Sequence, residues 1–238
     1  EEYGFSVDIA DLNGDGIDDL FLSAPRTDES GSNSGSVYVY YGPVTGDALA
    51  FNAWDARVVG SASDDGLGRN VQFLSDLDGD GTPEALLATD NGWSTSSPLA
   101  GPGAVLIYSG GGFEGALAES DADVRIDGTE IGRGFGHQSE IIADADGDGS
   151  NEIVVSAYDA FGPEEVSRGA IYGFPEAWTP GTRSVDDSDV RVVYGGSDIF
   201  GFTMVTGDVG ADGVEELLIS EMGQDRVWIL DPSVLFPD

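Results

Sequence analysis

Apolar residues in this chain occur in short runs or alternate with polar residues, and glycine, aspartate and serine separate the runs. Runs rich in valine, isoleucine, leucine and aromatic residues are typical of β-strands. Few stretches have the spacing of an amphipathic helix, and no apolar run reaches the roughly 18–20 residues of a membrane-spanning helix. The pattern predicts an all-β protein of many short strands.

The strand pattern recurs four times around one nine-residue loop. Each unit begins with an aromatic residue or leucine followed by glycine, enters the loop through a short strand and leaves it through a second β-rich run. A variable segment and a third strand pattern follow, and three units add a strand of the form Asp-x-Arg-Val or Asp-x-Arg-Ile. The loops read DLNGDGIDD at 11–19, DLDGDGTPE at 76–84, DADGDGSNE at 144–152 and DVGADGVEE at 208–216. The repeat therefore dictates the architecture.

Four-stranded units repeated along a chain are typical of a β-propeller, so we predict an all-β fold of four-stranded antiparallel blades. The single segment 1–238 divides into repeats of about 1–65, 66–133, 134–198 and 199–238. A β-sandwich is the alternative, but it would not require the same loop in every unit. The fourth unit lacks its last strand, so fifteen strands are found where four complete blades need sixteen. Either the chain is part of a larger ring, which we favour, or a second copy or another chain completes the propeller.

The acids of each loop alternate with other residues and would repel one another if they converged without a cation. Calcium binds about six to eight oxygens from carboxylates, carbonyls and water, which is the donor set that alternate loop positions present. Glycine at position six allows a sharp turn around the ion. The predicted ligands, from positions 1, 3, 5, 7 (through the backbone carbonyl) and 9, are Asp11, Asn13, Asp15, Ile17 and Asp19; Asp76, Asp78, Asp80, Thr82 and Glu84; Asp144, Asp146, Asp148, Ser150 and Glu152; and, in the fourth loop, Asp208, Asp212, Val214 and Glu216.

Three loops carry a full set of ligands, and the fourth has Gly210 at position three, so we expect that site to bind more weakly. A hairpin turn without metal would explain the Asp-Gly pair at positions five and six, but not the acids at positions one, three and nine. An EF-hand loop ends in glutamate at position twelve, where these loops have Leu22, Leu87, Val155 and Ile219. The loops therefore predict Ca²⁺ as the cofactor.

The order of aromatic–glycine pair, strand, acidic loop and a strand ending at Ser23-Ala24-Pro25 resembles the FG-GAP repeat of integrin α-subunit propellers and their bacterial relatives. The likeness covers nearly the whole chain, although the other units read ATD, SAY and SEM in place of Ser-Ala-Pro. The resemblance implies that calcium between the first two strands of a blade braces the ring, while ligands bind the opposite face. It also implies an extracellular or cell-surface location, with the periplasm as the alternative.

Charge narrows the classes of partner. The chain has 45 acidic and 9 basic residues and a net charge of -36. This charge repels nucleic acid and anionic lipid, so neither nucleic acid nor direct membrane insertion is expected. The absence of cysteine excludes disulfides and thiolate metal sites. The expected partner is a protein or a glycan at the cell surface.

Residues outside the loops do not form a recognisable catalytic set, so we predict that the protein is not an enzyme. His137 is the single histidine and is expected to be a packing or surface residue rather than a general base. Arg57, Arg125 and Arg191 recur at one strand position and are expected to pair with neighbouring acids rather than to form a ligand-binding ring. Trp93 is the best candidate for an exposed contact with sugar or protein.

These observations predict a calcium-binding propeller that serves recognition, adhesion or assembly, with calcium in a structural role. One alternative is a hydrolase or lyase acting on polysaccharide, which needs a pair of carboxylates outside the metal loops. The other is a lectin-like propeller that binds glycans through aromatic platforms.

Overall fold

The computed structural model describes residues 2–46, 52–89, 102–129, 134–158, 160, 169–193 and 199–236. The strands are β1 (Val7–Ala10), β2 (Asp19–Ala24), β3 (Ser36–Tyr40), β4 (Ala56–Val59), β5 (Asn70–Phe73), β6 (Ala85–Thr89), β7 (Ala104–Tyr108), β8 (Gly115–Ala118), β9 (Val124–Asp127), β10 (Phe135–Ala143), β11 (Asn151–Ala157), β12 (Ala170–Phe174), β13 (Gly181–Ser184), β14 (Val190–Val193), β15 (Phe200–Gly207), β16 (Glu216–Glu221) and β17 (Arg226–Leu230). One helical turn, α1 (Pro232–Leu235), and three 3-10 turns (Gly110–Gly112, Glu119–Asp121 and Val185–Asp187) complete the regular structure of these ranges. None of these helical elements could span a bilayer.

The strands form four sheets. The first has the order β1-β2-β3-β4-β8, the second β13-β9-β7-β6-β5, the third β10-β11-β12-β14 and the fourth β15-β16-β17. Successive strands of the first repeat pair in antiparallel fashion, and no sheet closes on itself within the described ranges. All fifteen strands expected from the sequence are present, so the all-β prediction with blade-like antiparallel sheets is confirmed.

Two further strands, β8 and β13, were not predicted. β8 pairs in parallel with β4, so that Ala56 lies opposite Gly115 and Val59 opposite Ala118. β13 lies beside β9 at the end of the second sheet. They read GALA and GTRS, and neither sequence contains the valine, isoleucine or aromatic residues that marked the other strands. They form because the outer strand of a sheet offers backbone groups that need hydrogen-bond partners.

The packing of the chain divides it into two compact units. The first comprises Glu1–Ala100, Ala104–Arg125 and Pro180–Thr182. The second comprises Gly101–Gly103, Ile126–Thr179 and Arg183–Asp238. The first two sheets therefore lie mainly in the first unit and the other two mainly in the second.

In the first unit, side chains of the first and second sheets share one core. Its buried members are Leu12, Phe21, Val37, Val39, Ala56, Val58, Leu67, Val71, Ala85, Leu87, Leu106, Tyr108 and Phe113. The Phe21 ring stacks on Phe73 with 5.0 Å between centroids, and its edge-to-face contact with Phe113 is at 5.9 Å. Asp8 of β1 accepts a hydrogen bond from the Phe73 amide at 2.7 Å. Aromatic packing therefore joins β2 to β5, and this hydrogen bond joins β1 to β5.

In the second unit, the third and fourth sheets share a second core. Its buried members are Ile142, Val154, Ile171, Phe200, Met204, Leu217, Ile219, Leu235 and Phe236. Glu140 of β10 lies beside this core and accepts a hydrogen bond from Thr206 Oγ1 of β15 at 3.5 Å. Glu140 occupies the same repeat position as Asp8 of the first repeat. Each lies five residues after the aromatic residue of the aromatic–glycine pair.

Burial raises the pKa of Glu140 to about 7, against the effect of hydrogen bonds from Thr206 and with an added contribution from the charge of Glu215. The folded pKa lies above the ordinary value of 4.5, so the folded state holds the proton more tightly than the unfolded chain. The stabilising contribution of this proton is complete below the unfolded pKa. It is lost as the pH rises through the folded pKa.

Glu140→Gln removes this titration while keeping the shape of the side chain. At about pH 8 without calcium, we expect the variant to have a free energy of unfolding about 1–2 kcal/mol higher, a figure reduced for screening because the group is partly exposed. The variant should therefore melt about 2–8 °C above the unmodified chain. At about pH 4 the carboxyl is protonated in both states, so the two proteins should melt together. Thermal scans at both pH values measure this difference. Glu114→Gln, at an exposed glutamate, should show no gain, and a variant of Glu140 that melts lower at the higher pH would contradict the assignment.

Candidate metal centre

The four nine-residue loops share one backbone geometry. The amide of the glycine at position six donates to the aspartate at position one in every loop, with distances of 2.8 Å (Gly16 to Asp11), 3.0 Å (Gly81 to Asp76), 2.8 Å (Gly149 to Asp144) and 3.0 Å (Gly213 to Asp208). The amide at position seven donates in the same way to the aspartate at position five. These side-chain-to-backbone bonds replace the ladder bonds of a strand and hold the acids within the loop.

Positions four and six of every loop have a left-handed backbone, and in loop three Asp144 at position one also has a positive φ of 42°. Position six is glycine with φ between 87° and 95°, as the sequence predicted. Position four also has a positive φ, at Gly14, Gly79 and Gly147, and at Ala211 with φ of 57°. The glycine at position four of three loops is a sequence signal of this second left-handed residue. An alanine in this conformation costs about 1 kcal/mol, so loop four keeps the geometry at some strain.

Loops two and three each bring three carboxylates together. The clusters are Asp76, Asp78 and Glu84 in loop two and Asp144, Asp146 and Asp148 in loop three. In each cluster the oxygens all lie within 4.8 Å of one another. Two oxygens that bind one calcium ion at about 2.3–2.6 Å are at most about 5 Å apart, so these clusters could hold a metal ion. Other clusters of this kind are not found in the part of the chain that the structure describes.

The glutamate at position nine of these two loops is fully buried. Glu84 Oε2 accepts from the Leu77 amide at 2.5 Å, and Glu152 Oε2 accepts from the Ala145 amide at 2.6 Å. The Oε1 atom of each glutamate is buried and has no hydrogen-bond partner among the described residues. A buried, unpaired carboxylate oxygen destabilises the fold, and a cation beside it would reverse that effect. The donor set of these loops therefore fits a divalent cation.

Electrostatics in these loops disfavour the ionised glutamate in the absence of a cation. Burial raises the pKa of Glu84 to about 7, and the aspartates of its loop add to the effect. Burial and neighbouring aspartates likewise raise the pKa of Glu152. Asp80 is exposed, and hydrogen bonds from Thr82 lower its pKa. The buried ninth position is thus the part of the loop whose charge most needs a counter-ion.

Loop one differs because its ninth residue is the shorter aspartate. Asp19 is fully buried, and its Oδ2 accepts from the amides of Leu12 and Asn13 at 3.0 and 3.3 Å. Its Oδ1 accepts from the Gly42 amide at 2.8 Å. Burial raises the pKa of Asp19 although these three bonds oppose the shift. Both oxygens have backbone partners, so a role for Asp19 as a ligand stays a prediction.

Loop four has no side chain at position three. Glu216 Oε2 accepts from the amides of Val209 and Gly210 at 2.9 and 3.2 Å. Asp208 accepts from the amides of Asp212 and Gly213 at 3.2 and 3.0 Å. The loop therefore has the common geometry with one ligand fewer, and its weaker binding stays a prediction.

The other predicted ligands lie in their loops at the expected positions. They are Asp11, Asn13, Asp15 and Ile17 in loop one, Asp80 and Thr82 in loop two, Ser150 in loop three, and Asp212 and Val214 in loop four. The residues at position seven contribute their amides to the loop. Metal binding by their carbonyls stays a prediction.

The candidate residues outside the loops make structural contacts. Arg57 pairs with Glu29, and Arg125 pairs with Glu119 at 3.2 Å, as the sequence analysis expected. Arg191 lies over an aromatic ring of the neighbouring strand.

His137 is a packing residue. It is 7% exposed, and its ring centroid lies 4.5 Å from that of Tyr158 and 4.7 Å from that of Phe202. The predicted contact residue Trp93 lies outside the described residues.

Comparison with known proteins identifies the repeat. The FG-GAP repeat family matches residues 3–40. Integrin alpha-4 of Xenopus laevis is 29% identical over 163 residues, which cover 66% of this chain and 14% of the relative. Integrin alpha-IIb of Homo sapiens is 31% identical over 163 residues (66% and 15%), and integrin alpha-PS3 of Drosophila melanogaster is 29% identical over 168 residues (67% and 14%). The aligned part of the chain thus spans only 14–15% of the length of these relatives. The chain carries an FG-GAP repeat and is related in sequence to the integrin α subunits.

Proposed function

We propose that this chain is a calcium-binding β-propeller module that serves recognition, adhesion or assembly at the cell surface. The observation that carries the proposal is the pair Glu84 and Glu152. Each buries a carboxylate oxygen that has no hydrogen-bond partner within the described part of the chain, at the same position of two loops that cluster acids. The relation to integrin α subunits supports a module of the cell-adhesion type.

Calcium suits these loops better than other common divalent ions. The side-chain donors are all oxygens, and the chain has no cysteine and one histidine, which disfavours zinc. Magnesium keeps several of its waters and requires near-octahedral geometry. A nine-residue loop that offers up to five protein ligands matches the larger and more flexible coordination shell of calcium.

The place of the loops in the fold favours a structural role for the ion. Each loop connects the first two strands of a sheet: β1 and β2, β5 and β6, β10 and β11, or β15 and β16. An ion bound by positions one to nine would join the end of one strand to the start of the next. Its binding energy would then stabilise the hairpin, because the unfolded chain has no preformed site.

Gly210→Asp should complete the fourth site. We expect calorimetric titration with calcium to count three ions on the unmodified chain and four on the variant. The affinity of the fourth loop for calcium should be at least about tenfold higher in the variant than in the unmodified chain, because affinity follows the number of charged ligands. Gly210 does not require a left-handed backbone, and a Cβ there would lie 2.8 Å from Glu216 Oε1, a flexible side-chain end that can move. Gly207→Asp adds the same charge just before the loop, at a glycine with open space around it, and should add no ion. Equal titrations for both variants would contradict the predicted ligand position.

Recognition is tested with surfaces coated with the chain. Cells of the source organism should be retained in calcium and released by a chelator, because loss of the ions loosens the hairpins that support the recognition surface. The double variant Glu84→Gln, Glu152→Gln should retain fewer cells at the same coating density. Retention that is unaffected by both chelator and variant would contradict recognition that depends on calcium.

A further inference from the structure

Loops one and two contact each other in the first unit. Gly14 is at position four of loop one, and a Cβ built on it would lie 3.2 Å from Thr82 Cγ2, at position seven of loop two. The methyl group of Thr82 therefore packs against the α-carbon of Gly14, which follows the predicted ligand Asn13 in the chain. The hydroxyl of the same threonine donates to Asp80 Oδ1 at 2.6 Å. One side chain thus contacts a predicted ligand of loop two and the backbone of loop one.

The 3-10 turn Gly110–Gly112 makes a second connection between the two loops. A Cβ built on Gly110 would lie 2.2 Å from the carbonyl oxygen of Pro83 in loop two and 2.8 Å from that of Leu12 in loop one. The α-carbon of Gly110 therefore fills the space between the two loop backbones, and a larger residue would push them apart. A Cβ built on Gly112, in the same turn, would have open space around it.

The glycine turn is itself fixed to the core of the first unit. The Phe113 amide donates to the Gly110 carbonyl at 3.2 Å. The ring of Phe113 is buried and makes edge-to-face contacts with Phe21 at 5.9 Å and with Tyr108 at 5.4 Å. Leu12 of loop one belongs to the same core. Because a packed core resists deformation, the turn transmits a shift of one loop backbone to the other loop.

The two loops differ in how strongly they need a cation. Loop two has four acids at its ligand positions, and Glu84 buries a carboxylate oxygen that has no hydrogen-bond partner among the residues described. Loop one has three acids and Asn13 at these positions, and both oxygens of Asp19 accept backbone hydrogen bonds. Calcium affinity follows the number of charged ligands, so loop two should fill at a lower calcium concentration than loop one.

Order and charge act in opposite directions on the coupling of the two loops. When loop two is filled, Asp80 and the Thr82 side chain bonded to it are held in place, and Thr82 in turn restricts the backbone of Gly14. A loop that is already ordered loses less conformational entropy on binding, which raises its affinity. The opposing effect of charge is limited, because the four acids of loop two outnumber the two charges of an ion and salt screens exposed charges over about 8 Å. The net coupling is therefore favourable.

We propose that loops one and two bind calcium as a coupled pair, in which loop two fills first and then raises the calcium affinity of loop one. Thr82 and Gly110 carry the coupling, and Gly110 acts as a positioning residue that sets the spacing of the two loop backbones. The coupling rests on the proposed calcium-binding function and adds an order of filling to it. The first unit should therefore respond to calcium over a narrower concentration range than two independent loops would.

Amide NMR during a calcium titration of the chelated chain resolves the loops separately. The position-six glycines Gly16, Gly81 and Gly149 donate within loops one, two and three, so their amide signals report the filling of each loop. We expect the loop-two signal to shift at a lower calcium concentration than the loop-one signal. Glu84→Gln weakens loop two and should also raise the calcium midpoint of loop one, by at least about fivefold. Glu114→Gln, which removes a charge from an exposed glutamate of the same unit, should leave the loop-one midpoint unchanged.

Substitutions that keep the charge isolate the contacts between the loops. Gly110→Ala should raise the calcium midpoints of loops one and two together, by at least about fivefold, and leave that of loop three unchanged. Gly112→Ala adds the same methyl group where there is open space and should change none of them. Thr82→Ser keeps the hydroxyl and loses the methyl group that touches Gly14, so it should raise the loop-one midpoint about threefold. This second variant keeps the test valid if Gly110→Ala does not fold.

Two kinds of negative result are distinguishable. The coupling would be overturned, with calcium binding intact, if loop one filled before loop two or if its midpoint were the same in Glu84→Gln, Thr82→Ser and the unmodified chain. Equal effects of Gly110→Ala and Gly112→Ala would likewise contradict the role of Gly110. If none of the three glycine signals responded to calcium, the proposed calcium-binding function would fail, and the coupling with it.

Discussion

Calcium added to the chelated chain should raise its melting temperature by about 10–20 °C. A ligand that binds only the folded state stabilises it by about 2.7 kcal/mol when its concentration is 100 times the dissociation constant. The two ions in the acid clusters of loops two and three alone therefore contribute about 5 kcal/mol, and any ion in loop one adds to this. For a chain of this size each kcal/mol shifts the melting temperature by about 2–4 °C. Circular dichroism or scanning calorimetry measures the shift.

The control for this prediction must separate binding from screening. The chain has a net charge of -36, so any added salt weakens its self-repulsion and stabilises it to some degree. Scans should be compared at equal ionic strength with sodium chloride and with magnesium. Calcium should give the larger shift, because magnesium gives up its waters reluctantly. Equal shifts for all three salts would contradict specific calcium sites.

The sequence predicted the structural elements that are determined by residues close together along the chain. The third strands, such as SVYVY and AVLIY, are runs of β-branched and aromatic residues that fit a buried strand and little else. The loops were equally clear, because acids at positions one, three and nine have no role in a simple turn. Each of these signals is contained within a few consecutive residues, and each recurs in all four repeats.

What the sequence did not predict depends on contacts between distant residues. β8 and β13 become strands because an edge of another repeat lies beside them. Asp19 and Glu84 occupy the same loop position, but only Asp19 is bound through both oxygens, because the Gly42 amide comes close to it from the connection after the third strand. Glu221 is apparent as a buried acid only once Trp228 is placed beside it.

Glu84→Gln should stabilise the chain without calcium and destabilise it with calcium. In chelator at about pH 8 the buried carboxylate is ionised at a cost, since burial and the loop aspartates raise its pKa to about 7. The amide keeps an oxygen for the Leu77 amide and carries no charge. After a discount for solvent screening we expect a gain of about 1–2 kcal/mol. With calcium the variant should be less stable than the unmodified chain, because it lacks a charged ligand and binds the ion more weakly. Each tenfold loss of calcium affinity removes about 1.4 kcal/mol of the stabilisation by the ion at saturation.

The pH dependence of the Glu84→Gln variant identifies the cause of this reversal. The folded pKa of Glu84 is above the ordinary value of 4.5, so the stability that its proton provides is complete below that value and lost as the pH rises through about 7. In chelator, the advantage of the variant should therefore be absent at about pH 4 and full at about pH 8. Glu152→Gln should repeat the reversal in loop three, and the exposed Glu114→Gln should show neither effect. If Glu84→Gln were less stable than the unmodified chain in chelator at about pH 8, protein groups alone would satisfy the ionised carboxylate. Calcium would then have no unbalanced charge to compensate at this position.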